Sequence, residues 1–167
     1  MKLTKEPMMS KAEIVIVDNL LKELKPTYCL EWGSGGSTLY YSRLAKHWLS
    51  VEHNGNYVKA LAPDLPSNVT LIWAPEDEWY EDCVKHSRIF DFILIDGLHR
   101  ERCLEIALDI ISDNGIILLH DSGRAEYQDF IKKNKGEKLI DGEEPYQGYF
   151  KHRGLTLFVK EKNLGTS

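Results

Sequence analysis

The stretch at residues 28–38 limits the fold of this chain more than any other part of its sequence. A short apolar run leads to Glu31, and a turn containing Gly33, Gly35 and Gly36 follows. A strand that turns sharply into a helix needs residues without a Cβ, both to reach positive φ and to let a ligand approach the backbone. The stretch therefore predicts a β-strand that ends in a ligand-binding loop, with a plain turn and a solvated Glu31 as the alternative.

The size and composition of the chain favour one domain. Its 167 residues, of which 43% are hydrophobic, suffice for a single core, so we expect one domain over residues 1–167. We expect no membrane partner, because no apolar run is long enough to span a bilayer. The N-terminus contains lysines but lacks the apolar segment of a signal peptide.

The net charge and the cysteine content indicate which partners the protein binds and in which compartment it lies. A net charge of −5 argues against a nucleic-acid partner, because affinity for phosphates comes from clustered Lys and Arg. The three cysteines are odd in number and form no CxxC pair, so they predict neither a disulfide framework nor a zinc site. A reducing, cytoplasmic compartment fits this pattern best.

Apolar spacing predicts a regular alternation of helices and strands. The first helix is capped by Ser10 and Glu13 and ends before Pro26. Further helices are predicted at about residues 37–45, 56–61, 104–111 and 125–134, with Asn114 and Gly115 breaking the fourth. Strands are predicted from residue 28 to the glycine loop and at 47–51, 69–73, 90–95, 116–119, 138–140 and 155–159. This alternation predicts a mostly parallel sheet with helices on both faces.

The end of the chain breaks the alternation. No helix is predicted between the last two strands, so they should pair antiparallel if they are neighbours. A parallel sheet closed by such a hairpin is not the usual dinucleotide-binding arrangement.

Two further loops should border the same crevice as the glycine loop. Glu52 ends the second strand and follows Gly33 by about 20 residues, the spacing at which a nucleotide-binding unit presents a carboxylate to ribose hydroxyls. Ala74, Pro75 and Glu76 leave the carboxyl end of the third strand, where a surface turn is an equal alternative.

Acidic and histidine residues follow two strands that are expected to be neighbours. Asp96 and His99 come after residues 90–95, and His120 and Asp121 come after residues 116–119. Two carboxylates suit Mg²⁺, and a histidine can take a proton at neutral pH. The alternatives are that Asp96 caps the next helix and that His120 is a hydrogen-bonded structural histidine.

At this point the chain resembles the class I S-adenosylmethionine-dependent methyltransferases, from about residue 10 to 162. Residues 31–37 are similar to the family's first motif, an acid followed by a glycine loop that holds the methionine end of the cofactor. The resemblance implies ribose binding by Glu52, adenine binding near residues 74–76, and a Rossmann-like, doubly wound, seven-stranded sheet with a C-terminal antiparallel hairpin. The implied cofactor-binding set is Glu31, Gly33, Ser34, Gly35, Ser37, Thr38, Glu52, His53, Ala74 and Glu76.

Within that family the two acid–histidine strand ends are similar to small-molecule O-methyltransferases of the catechol and macrolide-sugar types. The resemblance implies that Asp96 and Asp121 bind Mg²⁺ and that His99 is the base. The predicted catalytic set is Asp96, His99 and His120. The chain departs from the catechol type at Ser122, where that type has a ligating Asn, and His120 has no clear counterpart there.

The leading hypothesis is therefore S-adenosylmethionine-dependent O-methylation of a small molecule, with assistance by Mg²⁺ left open. A non-catalytic cofactor-binding module and an NAD(P)-dependent oxidoreductase are the alternatives, the latter disfavoured because Thr38 replaces the third motif glycine. A serine hydrolase is excluded because no glycine lies two residues before Ser34.

Such a short chain carries little beyond its core, so a homodimer in which a second copy completes the acceptor pocket is considered. Tyr146, Tyr149 and Phe150 either cover the acceptor or pack on the core.

Overall fold

Helices and strands alternate along the computed structural model, which describes residues 4–76, 79–142 and 154–160. The strands are β1 (Tyr28–Trp32), β2 (His47–Glu52), β3 (Val69–Trp73), β4 (Phe90–Ile95), β5 (Ile111–His120), β6 (Glu137–Ile140) and β7 (Leu155–Phe158). The helices are α1 (Lys11–Leu24), α2 (Gly36–Tyr41), α3 (Gly55–Leu61), α4 (Arg100–Ile110) and α5 (Gln128–Lys133). Tyr146, Tyr149 and Phe150, which were predicted either to cover the acceptor or to pack on the core, lie outside the described residues.

The seven strands form one sheet in the order β3-β2-β1-β4-β5-β7-β6. The pairs from β3 to β5 are parallel, and β7 pairs antiparallel with both β5 and β6. This confirms the predicted mostly parallel sheet and its antiparallel end. The strand order reverses between β1 and β4, and open α/β sheets bind their ligands at the carboxyl ends of the strands beside such a reversal.

Helix α1 forms as its capping sequence predicts. The Ser10 hydroxyl accepts from the Glu13 backbone at 3.2 Å, and the Glu13 carboxylate accepts from the Ser10 backbone at 2.7 Å. Lys25 adopts a left-handed conformation with φ 48° and ends the helix before Pro26. Val17 and Leu21 are buried against the sheet, as helical spacing requires. Among the described residues, no helix combines the length and apolar character needed to cross a bilayer.

The region between α4 and β5 differs from the sequence-based prediction. Helix α4 ends at Ile110, whereas Ile111 is extended, with φ −81° and ψ 143°, and pairs with Phe90. The next paired residues are Phe92 and Ile116, so residues 112–115 bulge from the ladder inside β5. The helix therefore ends one residue before the predicted limit at residue 111, and the predicted start of β5 at residue 116 is wrong, because β5 begins at Ile111. The β-branched Ile111 gains a sheet partner and is fully buried, which outweighs its place in the helical pattern.

Candidate functional site

The glycine loop after β1 lies directly against the loop after β4. Gly33 has φ +95°, and a Cβ at this position would lie 2.8 Å from the backbone of both Asp96 and Gly97. An L side chain is therefore excluded by conformation and by space. The close backbone approach holds the two loops together at the strand reversal.

The other two glycines of the loop face different surroundings. A Cβ on Gly36 would collide with the Glu6 carbonyl, because the N-terminal segment crosses the loop there. A Cβ on Gly35 would meet no atom within 4 Å, and the backbone at Gly35 is extended, with φ 169°. Gly35 therefore borders open space, which is the situation expected where a ligand approaches the backbone.

That open space is a cleft of about 330 Å³ at the carboxyl ends of β1, β2 and β4. Six members of the predicted cofactor set line it: Gly33, Ser34, Gly35, Ser37, Glu52 and His53. Asp96, from the predicted catalytic set, also lines it. The remaining lining residues belong to neither predicted set, although Gly36 is part of the predicted ligand-binding loop. They are Thr4, Met8, Gly36, Asn54, Tyr57, Gly97 and Leu98. Asn54 and Tyr57 could have been found as polar residues that follow Glu52, whereas nothing in the sequence pattern indicates Thr4 or Met8.

Glu52 holds the wall of the cleft that β2 contributes. Its Oε2 accepts from the Ser34 backbone at 2.9 Å, and its Oε1 accepts from the Asn54 backbone at 2.7 Å. These bonds fix the carboxylate between the glycine loop and the start of α3. Oε1 also lies 3.0 Å from His53 Nδ1. Oε2 retains a second lone pair, so the carboxylate can still accept a hydrogen bond from a ligand through this oxygen.

Glu31 lies beneath the loop and does not line the cleft. It is fully buried, and its carboxylate accepts hydrogen bonds from Ser37, Thr38, Trp48 and Ser50. Burial raises the pKa of Glu31 to about 7, although these four hydrogen bonds favour the ionised form. The predicted direct contact with the cofactor is therefore not what the geometry offers.

Thr38 connects this buried carboxylate to the loop. It is fully buried, donates to Glu31 Oε2 at 2.7 Å and accepts from the Gly35 backbone at 3.0 Å. Thr38 thus fixes the backbone of the glycine that faces the cleft. Like Glu31, it supports the loop from below instead of lining the cleft.

The predicted adenine segment and the predicted base lie together outside the residues that line the cleft. Ala74 is fully buried, and its backbone donates to the Glu52 carbonyl at 2.9 Å. His99 has a left-handed backbone with φ 45°, and its ring lies between Glu76, with Nε2 3.0 Å from Oε1, and Glu81. Both ring nitrogens are therefore engaged by carboxylates, which does not fit the prediction that His99 is the base.

His120 is held between carboxylates in the interior. Its side chain is 5% exposed, with Nδ1 2.8 Å from Asp96 Oδ1 and Nε2 3.6 Å from Glu13 Oε1. Burial opposes protonation, but the charge and hydrogen bond of Asp96 outweigh it and raise the pKa of His120. A protonated, buried ring cannot take a proton from an acceptor, so a role for His120 as a base is not supported.

The same contacts act on the two carboxylates beside His120. Burial disfavours ionisation of Asp96, but His120 and Arg100 outweigh it and lower the pKa of the carboxyl. Burial likewise opposes ionisation of Glu13, and the nearby positive charge of His120 together with the capping bonds to Ser10 lowers its pKa. Glu13 also accepts from the Gly154 backbone at 3.1 Å, so it joins α1, β5 and the start of β7.

The predicted magnesium ligands hold a guanidinium group instead. Ligand atoms of Asp96, His120 and Asp121 lie within 4.8 Å of one another, as a metal cluster would require. However, Arg100 Nη2 lies 3.3 Å from Asp96 Oδ1 and 3.6 Å from Asp121 Oδ2. Mg²⁺ needs near-octahedral oxygen coordination at about 2.0–2.1 Å, which a neighbouring fixed cation opposes. The residues present therefore do not fit Mg²⁺.

Solved structures share this fold at low sequence identity. A methyltransferase-like protein from Silicibacter pomeroyi is 21% identical with a TM-score of 0.67, covering 95% of this chain and 91% of that chain. A caffeoyl-CoA O-methyltransferase-like protein from Staphylococcus aureus is 15% identical with a TM-score of 0.68, covering 94% and 87%. The T. thermophilus 16S rRNA N2 G1207 methyltransferase, solved with AdoMet and guanosine, is 15% identical with a TM-score of 0.65, covering 95% and 45%.

Sequence comparison identifies the family. The search of curated protein sequences finds no match. The family described as a methyltransferase domain matches residues 30–122, which begin in β1 and end just after β5. The matched region includes the glycine loop, Glu52 and Asp96. Since this match covers more than half of the chain, the protein belongs to the class I S-adenosylmethionine-dependent methyltransferases.

Proposed function

We propose that this protein binds S-adenosylmethionine in the cleft and transfers its methyl group to an oxygen atom of a small molecule. The observation that carries the proposal is the open face of Gly35, which borders a cleft walled by Glu52 and Asp96 at the strand reversal. The position agrees with the general placement of ligands in open α/β sheets.

The walls of the cleft suit the different parts of this cofactor. The backbone of the glycine loop suits the methionine end, and the second lone pair of Glu52 Oε2 suits a ribose hydroxyl. His53, Asn54 and Tyr57 lie beyond Glu52 along the chain, and we assign the adenine to their side of the cleft. This replaces the predicted adenine segment, because Ala74 and Glu76 are engaged elsewhere.

Asp96 is the group that we assign to the methyl acceptor. The cofactor supplies a methyl group on a sulfonium, which an oxygen nucleophile displaces in line. Asp96 lines the cleft, and its lowered pKa keeps the carboxylate ionised at neutral pH. Its carboxylate can accept a hydrogen bond from an acceptor hydroxyl and so orient the oxygen. A lowered pKa makes Asp96 a weak base, but it can take the proton as the new C–O bond forms and the S–C bond breaks, because the attacking oxygen then becomes positively charged and strongly acidic.

A small molecule is a better acceptor than a nucleic acid for this chain. Two of the similar structures are rRNA methylases by description, so the fold alone does not distinguish the two classes. The net charge of −5 disfavours a phosphate backbone as the binding partner.

The three cysteines are free, which supports the cytoplasmic assignment. Whether a second copy completes the acceptor pocket is part of the proposal to be tested.

The second candidate function is a cofactor-binding module without catalytic activity. The observation that favours it is that both predicted catalytic histidines are engaged by carboxylates, His99 outside the cleft lining and His120 in the interior. The oxidoreductase alternative is disfavoured by the family match and by the antiparallel end of the sheet.

Three measurements test the proposal. Calorimetry should show binding of S-adenosylhomocysteine and not of NADH, and binding of NADH alone would refute the cofactor assignment. Transfer of a labelled methyl group to catechol, phenol, sugar and rRNA acceptors then tests activity. Transfer to rRNA alone would refute the small-molecule class, and binding without any transfer would support the binding module. Gel filtration or light scattering tests the homodimer.

Replacement of Asp96 tests the assigned role. We expect Asp96→Asn to lower turnover by about 100-fold, the usual contribution of general acid–base catalysis. Asp109→Asn is the matched control, because Asp109 is an exposed acid on α4. Turnover that is equal in the two variants would exclude Asp96 as the proton acceptor.

A further inference from the structure

Arg100 is a buried cation at the rim of the cleft. It begins α4 and is 7% exposed. Its guanidinium donates from Nε to the Gly97 carbonyl at 2.9 Å, from Nη1 to the His120 carbonyl, and from Nη2 to the Asp96 carbonyl at 3.3 Å. Three backbone acceptors from the ends of β4 and β5 thus fix the plane of the group.

The same guanidinium reaches both carboxylates that would have to bind a metal ion. Nη2 lies 3.3 Å from Asp96 Oδ1 and 3.6 Å from Asp121 Oδ2. Asp121 has a second cationic partner, since Arg124 Nη2 lies 3.0 Å from its Oδ2. Because an arginine does not deprotonate in proteins, these two positive charges are permanent.

The two guanidinium groups already balance Asp96 and Asp121, whatever the charge of His120. A divalent ion placed between the carboxylates would add two positive charges beside a buried cation that cannot move away without breaking three backbone hydrogen bonds. It would also have to displace Arg100 from the carboxylate oxygens, because Mg²⁺ needs them at about 2.0–2.1 Å.

We infer that Arg100 replaces the divalent cation in this protein: its guanidinium bridges Asp96 and Asp121, and it positions Asp96 in the cleft without a metal ion. Arg100 is a positioning residue, because it acts through Asp96 and is not among the residues that line the cleft. The consequence for the site is that its carboxylates stay ordered in the presence of a chelator.

Binding of Mn²⁺ tests the inference without an assay of methyl transfer. The probe is Mn²⁺ alone, followed by the loss of its free signal in electron paramagnetic resonance. We expect the wild-type protein to bind Mn²⁺ no more than two-fold tighter than Asp121→Asn. We expect Arg100→Gln, which keeps hydrogen-bonding groups but removes the charge, to bind Mn²⁺ at least ten-fold tighter than wild type.

Two control variants show whether a change in Mn²⁺ affinity comes from the charge of Arg100 or from the loss of any arginine on the helix. Arg100→Lys keeps the positive charge and should bind no more Mn²⁺ than wild type. Arg102→Gln removes an exposed arginine from the same helix, where it pairs with Asp82 and Glu105, and should also leave Mn²⁺ binding unchanged. Circular dichroism reports whether each variant is folded.

The wild-type measurement decides the inference even if Arg100→Gln does not fold. Binding of Mn²⁺ by wild type at least ten-fold tighter than by Asp121→Asn would overturn it, and so would a folded Arg100→Gln that gains no affinity. A second readout is the affinity for S-adenosylhomocysteine, which should agree within two-fold with and without EDTA. Absence of S-adenosylhomocysteine binding would refute the proposed function and leave the Mn²⁺ result standing.

Discussion

The Trp48 indole donates a hydrogen bond to Glu31, with 3.0 Å between Nε1 and Oε2, in the interior beneath the glycine loop. Burial raises the pKa of Glu31 from 4.5 to about 7. Between these values the folded protein binds more protons than the unfolded chain, so stability falls as pH rises. Relative to Glu31→Gln, we expect the wild type to lose up to about 3 kcal/mol of unfolding free energy between pH 4.5 and 7. Urea unfolding across this range measures it, and a pH-independent difference would contradict the role of Glu31.

Gly35→Ala should weaken ligand binding without harming the fold. The added methyl group meets no atom within 4 Å and the backbone is extended, but the group projects into the space where the ligand approaches. We expect the Kd for S-adenosylhomocysteine to rise at least ten-fold, about 1.4 kcal/mol, with an unchanged melting temperature. Gly55→Ala is the control, because its Cβ would make ordinary contacts with Trp73 outside the cleft. Equal affinities in the two variants would mean that the ligand does not approach Gly35.

Gly33→Ala should show the opposite pattern. Its φ of +95° and the 2.8 Å distances to the backbone of Asp96 and Gly97 leave no room for a methyl group. We expect a loss of more than about 2 kcal/mol of unfolding free energy, the scale of backbone strain combined with overpacking. Thermal unfolding of this variant beside Gly35→Ala measures the difference. A melting temperature equal to that of wild type would show that the two loops can separate.

Glu13→Gln should destabilise the fold, because it leaves a buried His120 without one of its carboxylates. The lowered pKa of Glu13 stabilises the fold above its ordinary value of 4.5, and the raised pKa of His120 does so below its ordinary value of 6.5. We therefore expect the cost, about 3 kcal/mol, to be largest between pH 4.5 and 6.5 and to shrink on either side.

Glu23→Gln on the same helix is the control for this substitution. Glu23 is exposed, so its replacement should change the unfolding free energy by less than about 0.5 kcal/mol. Equal costs for the two variants would show that the pairing of Glu13 with His120 does not stabilise the fold.

His99→Asn should leave cofactor binding intact. Asn tolerates the left-handed backbone at this position, and His99 does not line the cleft. We expect the Kd for S-adenosylhomocysteine and the turnover of an accepted substrate to stay within two-fold of wild type. A hundred-fold loss of turnover would restore His99 as the base.

The sheet could be predicted from the sequence because its signals are local. Continuous apolar runs predict β4 and the end of β5, and the glycines predict the turn after β1. The absence of a predicted helix before β7 predicts the antiparallel end of the sheet. The start of β5 was predicted wrongly, since Ile111 continues the helical pattern and becomes a strand residue only by pairing with Phe90. Such a choice depends on tertiary contacts that no short window contains.

The candidate site could be predicted only in part, because its charges meet through the fold. Asp96 and Glu52 lie at the ends of predicted strands, and this position identifies them as candidate site residues in the sequence. Arg100 is indistinguishable in the sequence from other helix residues, yet it is buried between two strand ends. Glu13 is recognisable as a cap residue, but its contact with His120 joins the first turn of α1 to the end of β5.

The backbone contact of Gly33 with Asp96 and Gly97 also bears on when the cleft exists during folding. Its two walls come from segments far apart along the chain, and they meet only when β4 has paired with β1. The pairing of β1 with β4 closes a long loop, which is a slow step in folding. The cleft can bind a ligand only after this step. A cofactor should therefore slow unfolding of the finished protein while leaving its rate of refolding unchanged.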